Sequence, residues 1–255
     1  MSRILVTDLD GTLLGGSPEQ RRRLRDALHR HPEVTPVFAT GRGLASVRQV
    51  LRDPLVPRPR WIISDVGAGV ADGTDFTPVE CLQDQLRAGW PGTEHVRAAL
   101  GRFPALAYQH DTVQDGRCSY HLTPGHLTGE LTAAVEALGC AWVYSGERYF
   151  DVLPPRASKG NAVRALAGKH GWRPEEVLVA GDSLNDLSLY HLDAHAVVVG
   201  GAEPALLAAL AGDRRVHRPG LPGAAAIHAA LETLGWLAPD PAPEQPPSPA
   251  GAASG

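Results

Sequence analysis

"ILVTDLDGTLL", residues 4–14, starts as an apolar run and stops on two acids, Asp8 and Asp10, before a glycine turn. Carboxylates this close repel each other unless a cation or a shared proton compensates them. A short apolar strand that ends on charge is also what a buried parallel sheet produces at its carboxyl edge, where open α/β sheets hold their ligands. Working outward, the pattern recurs. "VTPVFAT" runs into Gly41 and Arg42, "RWIIS" into "DVGAG", and "EEVLVA" into "GDSLND".

Helical stretches separate these strands. "SPEQRRRLRDALHRH" offers Ser17 as N-cap, Pro18 in the first turn and Gln20 in capping-box position. "LASVRQVLR", "SKGNAVRALAGKHG" with Gly171 as its stop, "EPALLAALA" and "GAAAIHAALETLGWL" complete the set, the last with Ile227, Leu231 and Leu234 on one stripe. Alternating strands and helices predict an α/β fold, a Rossmann-like parallel sheet covered on both faces. Residues 77–156 read differently. "ALAYQHD", "RCSYHLT", "CAWVYSG" and "RYFDVLP" are adjacent strands with one helix, "GHLTGELTAAVEALG", among them. Short connections predict an antiparallel sheet with helices on one side. The expected organisation is a core of residues 1–76 and 157–237 with an inserted α+β cap at 77–156. The proline- and alanine-rich residues 238–255 are expected to be a disordered tail.

Composition narrows the function. A formal net charge of −4 gives no general attraction to nucleic acid or anionic membrane. The basic run "EQRRRLR" reads as the solvated face of a helix. Cys81, Cys118 and Cys140 are far apart and form no C-x-x-C pair, so neither zinc nor a disulfide framework is indicated and a cytoplasmic location is expected. No apolar run suits a signal peptide or a membrane span. A monomer is expected.

The acids supply the chemistry. Asp8, Asp10 and Asp182, with Asp186 one helical turn further on, form an oxygen-rich set suited to Mg²⁺, which keeps waters and shares a phosphate oxygen. Thr40 and the amides of Gly41 and Arg42 offer donors to a phosphate. Lys159, opening a helix beside the sheet, offers a fixed positive charge. No G-x-x-x-x-G-K-[ST] loop is present, which argues against a nucleotide-driven kinase. "GAGVADG", residues 67–73, has G-x-G-x-x-x-G spacing rather than that of a dinucleotide-binding turn.

"DLDGTLL", "ATGR", "SKGNA" and "GDSLND" together resemble the four ordered motifs of the haloacid dehalogenase superfamily, and the insertion after the third core strand resembles its members with a large α/β cap. More narrowly, "SYHL" followed by "DVLPPRASKGNA" is similar to the sucrose-phosphate phosphatases. The resemblance implies that Asp8 is the nucleophile, forming an aspartyl-phosphate, and that Asp10 is the general acid and then base. It implies that Asp8, the Asp10 carbonyl and Asp182 hold Mg²⁺, and that Asp186 holds a metal-bound water or orients Lys159. Ser183 and Asn185 would support the phosphate.

The cap should select the substrate. Period-2 alternation places Arg117, Ser119 and His121 on one face of "RCSYHL", a polar face able to bind sugar hydroxyls, with Gln109 on the neighbouring strand as a further candidate. The expected substrate is a phosphorylated disaccharide or similar glycoside, sucrose 6-phosphate first. Trehalose 6-phosphate, mannosylfructose phosphate, glucosylglycerol phosphate and a pseudo-disaccharide phosphate such as validoxylamine 7'-phosphate stay open. So do a sugar phosphomutase and a non-catalytic sugar-phosphate binding protein.

Overall fold

A computed structural model describes residues 3–238. In chain order its elements are β1 (Arg3–Thr7), α1 (Pro18–Arg30), β2 (Val34–Ala39), α2 (Leu44–Val50), β3 (Trp61–Ser64), β4 (Gly69–Asp72), α3 (Glu80–Arg87), α4 (Thr93–Leu100), β5 (Leu106–Tyr108), β6 (Cys118–Leu122), α5 (Gly129–Ala137), β7 (Ala141–Ser145), β8 (Tyr149–Leu153), α6 (Lys159–His170), β9 (Val177–Gly181), α7 (Leu187–Tyr190), β10 (His195–Val198), α8 (Pro204–Ala209), β11 (Val216–His217) and α9 (Gly223–Thr233). An irregular helical turn, Leu9–Leu13, follows β1.

The larger sheet has the order β11-β10-β9-β1-β2-β3-β4 and is parallel except for β4, which runs antiparallel to β3. Period-2 geometry sorts its side chains. Ile4, Val6, Val177 and Val179 share one apolar cluster with residues of α3, α6, α7 and α8. Leu5, Leu178 and Ala180 share another with residues of α1, α2 and α9. Strands apolar on both faces therefore lie between two helical layers. The chain proceeds from β1 to β2 and β3 on one side, and returns as β9 and β10 on the other. This switch point opens a crevice at the carboxyl ends of β1 and β9.

The local signals act as their chemistry dictates. The Ser17 hydroxyl accepts from the Gln20 N–H while the Gln20 side chain accepts from the Ser17 N–H, which starts α1. Gly171 ends α6 in the left-handed region at φ 69°.

The smaller sheet, β5-β6-β8-β7, is antiparallel throughout. Cys118, Tyr120, Leu122, Phe150 and Val152 pack with Val96 and Leu100 of α4 and Leu131 and Val135 of α5. The opposite face carries Arg117, Ser119 and Asp151 and turns toward the carboxyl edge of the larger sheet, where Arg117 meets Asp65.

One expectation changes. The boundary at residue 77 is too early: Leu82 and Leu86 of α3 lie in the same apolar cluster as Val70 and Val163 of the larger sheet and α6. Their i, i+4 spacing gives α3 a stripe that the core buries. "GAGVADG" contains an edge strand, β4, which pairs back on β3. Residues 239–255, which hold nearly all of the expected tail, lie outside the described residues. Among the described residues no helix is long and apolar enough to cross a membrane.

Candidate active site

β1 delivers Asp8 to the centre of the carboxyl edge, and β9 delivers Asp182 beside it. The turn after β1 has to bend sharply. Gly11 does this at φ 77°, and a Cβ there would stand 2.2 Å from Asp182 Oδ2. The absence of a side chain at 11 is what lets the two acidic loops touch. Thr12 then donates from its hydroxyl to Asp182 Oδ1 at 2.9 Å.

α6 brings Lys159 in from below. Gly67, at φ 100°, lets the loop after β3 press on the α6 N-cap, since a Cβ there would lie 2.2 Å from the Ser158 carbonyl carbon. Lys159 is wholly buried and donates from Nζ to Asp8 Oδ1 at 2.8 Å and to Asp186 Oδ1 at 2.6 Å. The other oxygen of Asp186 accepts from the backbone N–H groups of Asp182 and Ser183, at 3.0 and 3.1 Å. Asp186 thus both orients Lys159 and folds the loop that carries Asp182.

The electrostatics call for a cation. Asp8, Asp182 and Asp186 each offer a carboxylate oxygen within 4.8 Å of the others. Burial pushes the Asp8 carboxyl up to about 8; Lys159 opposes the rise and Asp186 and Asp182 add to it. Burial lifts Asp182 to about 6, with Asp186 adding to it. Burial alone would lower the Lys159 ammonium, but Asp186 and Asp8 together hold it above its ordinary value. With all three carboxylates ionised, one ammonium would leave two negative charges uncompensated in a water-poor space, so without a cation the site holds protons instead. A hard divalent cation with oxygen ligands matches both that charge and that donor set.

The other expected residues fall into two groups. Asp10, Gly41, Arg42, Asn185, Gln109 and Arg117 line a cavity of about 740 Å³ between the two sheets, together with Asp8 and Asp182. The Asp10 carboxylate stands apart from the acid cluster and is gripped by Arg42, Nε to Oδ2 at 2.7 Å and Nη2 to Oδ1 at 2.6 Å. Any metal contact of Asp10 is therefore left to its backbone carbonyl. Asn185 Oδ1 is buried and has no partner among the described residues. Thr40 does not reach the cavity wall. It is fully buried, and its Oγ1 accepts from the Arg42 N–H at 3.1 Å, so that amide is engaged within the loop. Lys159 and Asp186 lie behind the wall, reaching it through Asp8 and Asp182.

In the cap the alternation holds but its consequence differs. Ser119 is buried, donates to Asp151, and does not line the cavity. His121 is off the wall as well, its Nδ1 accepting from Arg148 Nη2 at 3.0 Å and its ring lying edge-on to Tyr149 at 5.5 Å. The cap sheet tilts its polar face so that one end meets the core and the other emerges into solvent. Among the wall and support residues that escaped the sequence reading are Asp65, Asp151 and Glu203. Asp151 was visible as a charge in the alternating strand "RYFDVLP". Asp65 was visible as an acid at a strand end. Glu203, ahead of Pro204, carried no local signal. One of its oxygens accepts from the Leu184 N–H at 2.6 Å, and the other accepts from the Gly146 N–H in the cap.

Known proteins resemble this chain in sequence and in fold. The family model described as sucrose-6F-phosphate phosphohydrolase matches residues 1–234. A glucosylglycerol-phosphate synthase from Pseudomonas anguilliseptica is 44% identical over 207 residues, covering 81% of this chain but 27% of that protein. The chain therefore spans about a quarter of that relative. A mannosylfructose-phosphate phosphatase from Agrobacterium fabrum is 31% identical, over 84% of this chain and 89% of that one. The crystal structure of the sucrose-phosphatase from Synechocystis, in complex with sucrose and phosphate, superposes with a TM-score of 0.83 at 28% identity, covering 92% of this chain and 99% of that chain. The fold is that of a sucrose-phosphatase, with a buried acid cluster at the switch point of its sheet. The chain belongs to the sucrose-6F-phosphate phosphohydrolase family.

Proposed function

We propose that the chain hydrolyses the phosphate monoester of a small glycoside, with Mg²⁺, through an aspartyl-phosphate on Asp8. The observation that carries this is the buried Lys159 tied to both Asp8 and Asp186, beside Asp182, at the switch point of the sheet. Lys159 fixes one Asp8 oxygen and leaves the second for attack on phosphorus. Asp10, held by Arg42 on the cavity wall, protonates the departing sugar oxygen and then takes a proton from the hydrolytic water. Asp8, Asp182 and the Asp10 carbonyl would hold the metal ion, which when bound would offset the charge of the phosphoryl group. Gly41 and Asn185 support the phosphate oxygens, Arg42 serves by holding Asp10, and Lys159 offsets the phosphate charge from behind Asp8.

The substrate is set by the cap. The wall presents Gln109, Arg117, Tyr149 and Asp151, groups that bind hydroxyls, and a cavity of this volume accommodates a disaccharide-sized molecule. The sequence put sucrose 6-phosphate first. The 44% identical relative moves glucosylglycerol phosphate ahead of it, with sucrose 6-phosphate and mannosylfructose phosphate next. The three cysteines are free thiols, which fits a reducing cytoplasm. Inorganic phosphate released from these three esters, alongside trehalose 6-phosphate, tests the reading. Selective release from one of them supports it. Isomerised sugar phosphate with little free phosphate would indicate a mutase instead.

A further inference from the structure

Arg117 reaches from the cap into a pair of buried acids. Its Nε donates to Asp65 Oδ1 at 2.9 Å and its Nη1 to Asp151 Oδ1 at 3.1 Å. The three side chains are 6%, 3% and 8% exposed. Asp151 belongs to β8 of the cap, and Asp65 to the loop after β3 of the core. The Arg117 guanidinium is therefore shared between the two sheets. Charges withdrawn from water like this are a poor source of stability, because apolar residues of similar volume do as well or better. What they supply is orientation, since a planar guanidinium fits its carboxylates in few geometries.

The Asp65 side is built with strain. Asp65 and Val66 hold φ of 52° and 55°, a conformation costly for residues with a Cβ, and such strain is retained where the surrounding structure enforces it. Backbone bonds enforce it here: the Asp65 N–H donates to the Arg42 carbonyl at 3.0 Å and the Val66 N–H to the Thr40 carbonyl at 3.1 Å. Beside them Val66, Ala68, Leu153 and Ala157 form a small apolar cluster where the chain passes between the sheets. Asp65 itself is not on the cavity wall, whereas Arg117 and Asp151 are. A second core–cap pair, Arg87 with Asp115, differs in kind: Asp115 is 69% exposed, so water screens it.

We propose that Asp65 is a positioning residue: from the core it fixes the cap's Arg117 against Asp151, so that the docked cap presents one guanidinium geometry to the glycoside part of the substrate. The kinetic part of this rests on the phosphatase reading; the geometric part does not.

The test is Asp65→Asn, which keeps the side-chain shape and leaves the backbone bonds to residues 40 and 42 in place. Spin labels at positions 52 and 130, both exposed, in a Cys81→Ser background would report the core–cap distance, since Cys118 and Cys140 are buried. With Mg²⁺ and inorganic phosphate, the distance distribution is expected to lengthen and broaden in Asp65→Asn. The kcat/KM for the preferred glycoside phosphate is expected to fall about tenfold, and that for p-nitrophenyl phosphate, which has no glycoside to orient, by less than about threefold. Arg117→Lys should cost less in the Asp65→Asn background than in the wild type, because the part of the Arg117 effect that depends on Asp65 is already lost. An unchanged distance distribution, equal losses on both substrates, or additive losses in the double variant would each overturn the proposal. If the wild-type protein releases phosphate from neither ester, the phosphatase reading fails and the distance measurement still decides the role of Asp65.

Discussion

Gly11 is the residue on which the acid cluster turns. Replacing it with alanine would drive a methyl group into Asp182 and demand a left-handed backbone that costs about 1–2 kcal/mol for residues with a Cβ. Gly11→Ala should therefore lose about a hundredfold or more in phosphate release while lowering stability only modestly, because the misplaced group is a reacting one. Paired activity assays and thermal melts check this. The cluster's charge leads to a second expectation. The Asp8 carboxyl lies above its ordinary value chiefly through burial, and Asp182 likewise, so the native chain holds protons that the unfolded chain releases. Stability without metal should fall as pH rises from about 4 to about 8. A cation that binds only the folded state restores it. The rise in melting temperature on adding Mg²⁺ to EDTA-treated protein should be larger at pH 8 than at pH 5; an equal or reversed effect would contradict the placement of the ion among these acids.

At the scale of elements, α1 shows a local signal that can be changed without touching the site. Ser17→Ala removes the cap hydroxyl that Gln20 uses and should cost about 1 kcal/mol of stability, measured by denaturant unfolding, with phosphate release unchanged. Elements with such signals were readable beforehand: the strands that stop on Asp8, Thr40 and Asp182, the capped α1, and α6 with its glycine stop. What the sequence hid has physical causes. α3 has only two apolar positions, Leu82 and Leu86, so its stripe does not say which sheet buries it. β4 is made by a chain reversal at left-handed residues 65–67, and two of those are not glycine, so no turn signature announces it. Three of the four core motifs lie at strand ends that parallel pairing brings together, and the fourth opens α6 beside them, which makes most of the site legible. Ser119 and His121 were placed on the correct face of β6, but a period of two cannot tell which end of a face meets the core. Glu203 acts through backbone N–H groups, which any sequence supplies.

At the scale of the whole molecule, the contacts that hold the cap over the cavity include the Arg117 pair at one side and Glu203 at the other. Glu203 ties the β7–β8 turn at Gly146 to the loop carrying Asp182 and Asn185. An amide offers one acceptor oxygen where a carboxylate offers two, so Glu203→Gln must release one of these bonds. KM for the glycoside phosphate should rise about tenfold, with kcat changed less, as befits a lost charged hydrogen bond that docks the cap. Steady-state kinetics would show it, and a fall confined to kcat would contradict it.

The most direct test of the account is inorganic phosphate release from glucosylglycerol phosphate, sucrose 6-phosphate, mannosylfructose phosphate and trehalose 6-phosphate, with Mg²⁺ and with EDTA, for the wild type and for Asp8→Asn. The account predicts selective release from one glycoside phosphate, abolished by EDTA and by Asp8→Asn. Release that persists in folded Asp8→Asn protein, or that is indifferent to removal of the metal, would contradict it.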